Sequence, residues 1–365
     1  MAMRIKKSIV LKGIILFVLL SVGVMVGILI WTTKHETWRQ LVHFQWPFIP
    51  LVIGFGILRW YLDGMAFVTM AKHGSKSSLC INRAVEIRLE GNLISHVLPM
   101  LFGLLVSHVY LLYKEKMELS EAVAITSLRA TLPIFFFLLN IPILLFMKDD
   151  PNSSKFFSEF IQLISIPIVV VVILFVITLF YPRHIKKGAS KFVRWCGKIK
   201  IIHIEKMIAI ETRVFHEIDQ YSNVLWTYLK KKKRMLFSAS GWIFMAFLSD
   251  YFIALSIIWG FGYHPPLIRA LLIQFLMRPI IFFAPTPGGT GIWDFTYLGF
   301  FSMFLPQYVI GVSVLLWRLM LTYIPVVVGS IVLTKDIRLD KKMRKIILEQ
   351  GQIPQEMEDI KKEFE

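Results

Sequence analysis

Residues 282–295 read FFAPTPGGTGIWDF. Two prolines, three glycines and an aspartate interrupt one of the most apolar regions of the chain. Proline lacks an N–H and clashes with the preceding turn, so Pro285 and Pro287 end whatever helix arrives there. Gly288, Gly289 and Gly291 allow positive φ and close approach of backbone to a ligand. Thr290 or Gly291 then opens a second helix, with Asp294 in its first turn, where the helix dipole favours a carboxylate. The free N–H groups of that helix start suit an anion such as a lipid phosphate. Close helix packing is the plainer use of such glycines.

The surroundings are those of a membrane protein. Of 365 residues, 56% are hydrophobic and 18% charged, and the mean hydropathy is +0.64. Soluble domains run nearer a quarter charged. Six stretches read as full spans: 9–31, 47–71, 121–147, 160–181, 236–260 and 308–333. The first continues a basic start, is too long for a signal-peptide core and has no small-residue cleavage site after it, so it is an uncleaved span. Two segments, 86–113 and 266–305, are interrupted, the first by Gly91, Pro99 and Gly103, the second by Pro279 and the glycine-rich stretch.

The net charge of +17 is carried by Lys and Arg between apolar runs. That is the pattern of cytoplasmic loops, and without a basic, aromatic-studded soluble domain it excludes nucleic acid. Basic residues place the N-terminus, the 72–83 loop, the 183–234 segment and the C-terminal tail inside, and KDDPNSSK (148–155) outside. Parity then makes 86–113 leave and return on the inner side and 266–305 on the outer side. The expected fold is an all-α polytopic membrane protein with six full helices plus two broken, re-entrant hairpins in an inverted repeat. Two short full spans per segment give the same parity. Residues 1–335 form one transmembrane domain, with an interfacial cytoplasmic segment at 184–235, and 336–365 are a charged cytoplasmic tail. Cys80 and Cys196 both fall on the cytoplasmic side, which argues against a disulfide.

Arg129, Arg278 and Arg318 lie in the apolar contexts TSLRATLPIFF, QFLMRPIIFF and VLLWRLMLTY. An arginine near a helix centre costs about 3 kcal/mol on insertion scales, so these should face a cavity, counter-ions or a phosphate. Arg278, beside a proline, is the best placed to snorkel. Asp294 pairs with an arginine, serves the helix dipole alone, or titrates. Asp250 is a lone intramembrane acid and a candidate counter-ion. Arg59 and Asp63, four residues apart, suit a pair within one helix. Glu90 and Asn92 start the first broken segment, and His108 and Tyr110 follow in its second half. The candidate lipid-binding set is Arg129, Arg278, Arg318, Pro287, Gly288, Gly289, Gly291, Asp294, Glu90 and Asn92. No P-loop, H-E-x-x-H, G-x-S-x-G or paired C-x-x-C occurs, so no catalytic residue, metal or cofactor is assigned, which weighs against an enzyme.

PTPGGTGIWD, with NLISHVLPMLFG (92–103), SLRATL and LLWRLMLTYIPVVVGSI in that order, resembles the transmembrane, flippase-like domain of lysylphosphatidylglycerol synthases, in a stand-alone form without the soluble synthase domain. Asp294 stands at a Glu position of that pattern, and Leu104, Leu128 and Leu132 stand at positions that are commonly acidic. The resemblance implies a bacterial or archaeal cytoplasmic-membrane protein with both termini inside. It also implies lipid handling: in the synthases this domain moves an aminoacylated lipid between leaflets while the soluble domain makes it. Three readings remain open. The chain moves an anionic phospholipid or lipid-linked sugar through a polar cavity; it is a membrane-embedded head-group or glycolipid transferase; or it is a non-transporting accessory subunit partnered by a synthase or glycosyltransferase.

Overall fold

The computed structural model describes residues 7–74, 79–97, 100–138, 223, 226–282, 284 and 286–350. These form helices throughout: α1 Lys7–Thr32, α2 His35–Val42, α3 Phe48–Gly74, α4 Ile81–Val97, α5 Met100–Lys114, α6 Leu119–Leu138, α7 Lys233–Gly260, α8 Leu267–Phe282, α9 Ile292–Phe301, α10 Gln307–Arg318, a π turn Leu319–Tyr323, and α11 Ile324–Gln350. Among the described residues, four stretches are long and apolar enough to cross a membrane: Ile15–Thr32 in α1, Phe48–Lys72 in α3, Lys233–Gly260 as α7, and Gln307–Asp336 through α10 and α11. The expected span 160–181, the loop 148–155 and most of the interfacial segment, including Cys196, lie outside the described residues. α11 continues past residue 335 to Gln350.

One order of elements occurs twice. A long helix (α3, 27 residues; α7, 28) leads to two short ones and then to a further helix. The short ones have 17 and 15 residues in α4 and α5, and 16 and 10 in α8 and α9. At 1.5 Å per residue, none of the four matches the 20 or so residues that a bilayer core of about 30 Å asks for.

Three of the expected interruptions are absorbed, among them Gly103 inside α5. α8 runs through Pro279 and breaks only beyond Phe282. α4 runs through Gly91, whose missing side chain makes room for the His108 ring of α5. A single proline or glycine bends or thins a buried helix that its neighbours support; a run of left-handed residues ends it.

α3 and α7 pack against each other most extensively. Apolar burial gives helices little reason to associate in lipid, so close packing of small residues and polar contacts must hold them. Small residues supply part: Ala66 and Ala71 of α3 and Ala239 of α7 share one fully buried cluster. A second apolar cluster gathers α9 and α10 against α1 and α7, with Tyr297 stacked on Phe301. Ion pairs that join the helices supply the rest.

Candidate functional site

Gly288, Gly289 and Gly291 take φ values of +60°, +67° and +83°. Three left-handed residues in four turn the chain from α8 into α9. Gly291 caps α9, and its N–H donates to Asp294 Oδ2 at 2.9 Å. Asp294 therefore sits in the first turn and binds that turn's own backbone.

Both oxygens face Arg318. Arg318 Nε donates to Asp294 Oδ1 at 2.6 Å and Nη2 to Oδ2 at 2.8 Å, a bidentate pair. Nη1 donates to the Gly288 carbonyl at 3.3 Å and to Thr322 Oγ1 at 3.1 Å; Nη2 also reaches the Gly289 carbonyl. All three nitrogens are engaged, and the guanidinium lies 5.2 Å from the Trp293 ring centre. Arg318 is 0% exposed and Asp294 2%. One arginine thus holds the carbonyls of the glycine turn, the cap of α9 and the π turn that follows it. Nothing in the sequence signals that π turn, and it places Thr322 beside Arg318; π turns recur at functional sites.

Gly289→Ala tests the turn. A Cβ there needs a left-handed conformation and overlaps the Trp293 ring. A loss of about 1–3 kcal/mol is expected, read as a lower melting temperature of the purified protein, whereas Gly241→Ala, in open space on α7, should leave it unchanged.

Four further arginines and two aspartates form two linked triads. Asp63 accepts from Arg88 Nε at 2.9 Å and from Arg129 Nη2. Asp250 accepts from Arg278 Nη2 and pairs with Arg59 Nε. Arg59 was expected to pair with Asp63 on its own helix. It reaches instead to Asp250 on α7, because the close α3–α7 packing brings that carboxylate within bonding distance; its charge still interacts with Asp63. The triads together hold Arg59, Arg88, Arg129 and Arg278 against Asp63 and Asp250. Arg278 does not snorkel: it lies 4.3 Å from the Phe247 ring centre and lines a cavity of about 20 Å³ with Asp250, Tyr251, Gln274, Trp317 and Leu321. That is room for a single water.

Other expected residues go elsewhere. Glu90, fully buried, pairs with Arg83 at 3.1 Å in a charge cluster that also holds Glu86, Glu115, Lys114 and Asp336. The Asn92 carbonyl accepts from Ser95 and stands 2.6 Å from His96 Nδ1. Pro287 is half-buried at the start of the glycine turn, and its carbonyl accepts from Thr290. Pro285 and Pro99 lie outside the described residues. Tyr110 is exposed, while His108 is buried, its Nε2 without a partner among the described residues. Among the described residues there is no group of three His, Cys, Asp or Glu placed to hold a metal ion.

Sequence reading overlooked Arg88, which VEIRLEG (85–91) disguises as part of a charged loop edge. A signal for it exists. Arg88 follows Asp63 by 25 residues and Arg278 follows Asp250 by 28. Arg129 then stands 41 residues beyond Arg88, and Arg318 stands 40 beyond Arg278. The series Asp, Arg, Arg occurs twice, on matching helices of the two runs of elements.

A helical membrane protein whose buried arginines are held by aspartates across two repeated units is a membrane-embedded polar-site protein. The sequence profile described as the lysylphosphatidylglycerol synthase TM region matches residues 18–329. The chain belongs to that family. No curated protein and no solved structure matches it.

Proposed function

We propose that this protein moves an anionic or glycosylated lipid between leaflets, its head group passing the arginine network. The observation that carries this reading is the network's charge: four guanidiniums against two carboxylates, all shielded from solvent. Buried uncompensated charge costs several kcal/mol, so such a site persists where an anion or a polar path offsets it. The two runs of elements act as an inverted repeat, with α4–α5 and α8–α9 dipping in from opposite faces and six helices spanning fully. Arg129 and Arg278 meet the head group directly. Arg318 meets it only by releasing Asp294, which makes that pair a gate on the glycine turn. The protein sits in a bacterial or archaeal cytoplasmic membrane, with both ends of the chain inside.

The test is leaflet exchange of head-group-labelled lipids in liposomes holding the purified protein. Arg278→Gln is the informative variant. It leaves Asp250 paired with Arg59, so the fold survives, whereas Arg318→Ala strands Asp294. Exchange should fall at least about tenfold, the rate equivalent of roughly 1.4 kcal/mol. Exchange at the wild-type rate counts against transport through the network. Product made by the protein alone from lipid-linked precursors would support a transferase instead.

A further inference from the structure

The two Asp–Arg–Arg series are alike in spacing and unlike in saturation. In the second, Arg318 has an acceptor on every nitrogen. In the first, its counterpart Arg129 has, among the described residues, Asp63 alone, which it shares with Arg88. Arg129 Nε and Arg88 Nη1 are buried with no acceptor among the described residues, and so is His108 Nε2. Arg88 is 9% exposed and His108 1%. The three belong together: His108 packs edge-on against Phe67 at 4.9 Å, Arg129 lies 5.9 Å from that same ring, and the His108 ring fills the space over Gly91 of α4, the helix that carries Arg88.

The repeat explains what is missing. Asp294 neutralises Arg318. The register that aligns Arg278 with Arg88, an offset of 190 residues, aligns Asp294 with Leu104. Leu104 is on α5, one turn before His108 and on the same face. Where the second unit carries its own carboxylate, the first carries a leucine.

We propose that Arg88, Arg129 and His108 form an anion site that takes a phosphate group in the place of this absent carboxylate. The site rests on the lipid-handling reading for its ligand but not for its existence. Two guanidiniums share one carboxylate, so a mobile anion restores the balance, and water does not. A tetrahedral phosphate has oxygens enough for donors arriving from α4, α5 and α6, with His108 donating in the tautomer that protonates Nε2. The same chemistry comes from a phospholipid head group or from free phosphate.

The full chain is placed in phosphatidylcholine nanodiscs, with or without phosphatidylglycerol, and its thermal unfolding is followed as inorganic phosphate is titrated against chloride. The wild type is expected to be stabilised by one source. A response to phosphatidylglycerol alone assigns a lipid head group; a response to inorganic phosphate in pure phosphatidylcholine assigns free phosphate. Leu104→Glu supplies the carboxylate from within and should weaken the apparent affinity at least about tenfold while raising the melting temperature without ligand. Arg88→Gln, which leaves Asp63 with Arg129, should weaken it similarly and carries the test if Leu104→Glu does not fold. No wild-type response to either source overturns the site, as does an unchanged response in the folded variants. Variant-sensitive binding without leaflet exchange sinks the transport reading alone; exchange with variant-insensitive binding sinks the site alone.

Discussion

Asp294→Ala is expected to cost about 3–5 kcal/mol of stability, because it strands a fully buried guanidinium. Arg318 would keep the Gly288 and Gly289 carbonyls and Thr322, but these are neutral acceptors and do not offset its charge. Gly291 also loses the carboxylate that receives its N–H, so the start of α9 should fray. Arg318→Met alone leaves the opposite defect, an unpaired buried carboxylate, and should cost a similar amount. The double variant separates charge from geometry. Replacing both members of a buried pair by apolar groups of similar size is often nearly neutral. Here the Arg318 contacts to the turn carbonyls also disappear, so the double variant should recover most, not all, of either single loss. A coupling of about 2 kcal/mol or more between the two changes, from melting temperatures and denaturant midpoints in detergent, is the expected result. Additive losses would mean that the two charges are separately solvated, as in a wide aqueous cavity.

Local features were legible before the structure, and contacts between distant helices were not. The glycine run, a helix start at Thr290 or Gly291 and the place of Asp294 in its first turn follow from what proline, glycine and a helix start each require within a few residues; the structure puts the cap at Gly291. The partner of Asp250 was legible in kind, since an acid in apolar sequence needs a cation, but its two arginines were not legible in identity. Arg59 shows why. An acid four residues along the same helix is the natural partner on local grounds, yet close α3–α7 packing offered a better one on another helix. Arg88 went unseen because neighbouring charges made it look solvated, and burial is a property of the packed bundle rather than of a window of sequence. The repeated Asp, Arg, Arg spacing was present throughout and needed only the two halves to be laid over one another.

The same repeat orders the consequences of removing each shared aspartate. Asp63→Asn is expected to be the most damaging single change in the network. It leaves Arg88 and Arg129 without the carboxylate that accepts from both of them. Asp250→Asn strands Arg59 and Arg278 in the same manner, but Arg278 retains the faces of Phe247, 4.3 Å away, and Tyr251, 5.7 Å away. Among the described residues Arg129 has the more distant Phe67 ring, at 5.9 Å. An arginine over a desolvated aromatic face keeps about 2 kcal/mol of attraction, so the two variants should differ by about that amount. Asp63→Asn should lose about 3–5 kcal/mol or more, seen as a collapsed monodisperse peak in size-exclusion chromatography, while Asp250→Asn remains partly folded. Since Asp63→Asn raises the positive charge around Arg88, Arg129 and His108, anionic lipid should rescue it more than it rescues Asp250→Asn. The reverse order of severity would place the greater uncompensated charge on the Asp250 side, and equal rescue of both would count against an anion site at α4–α6.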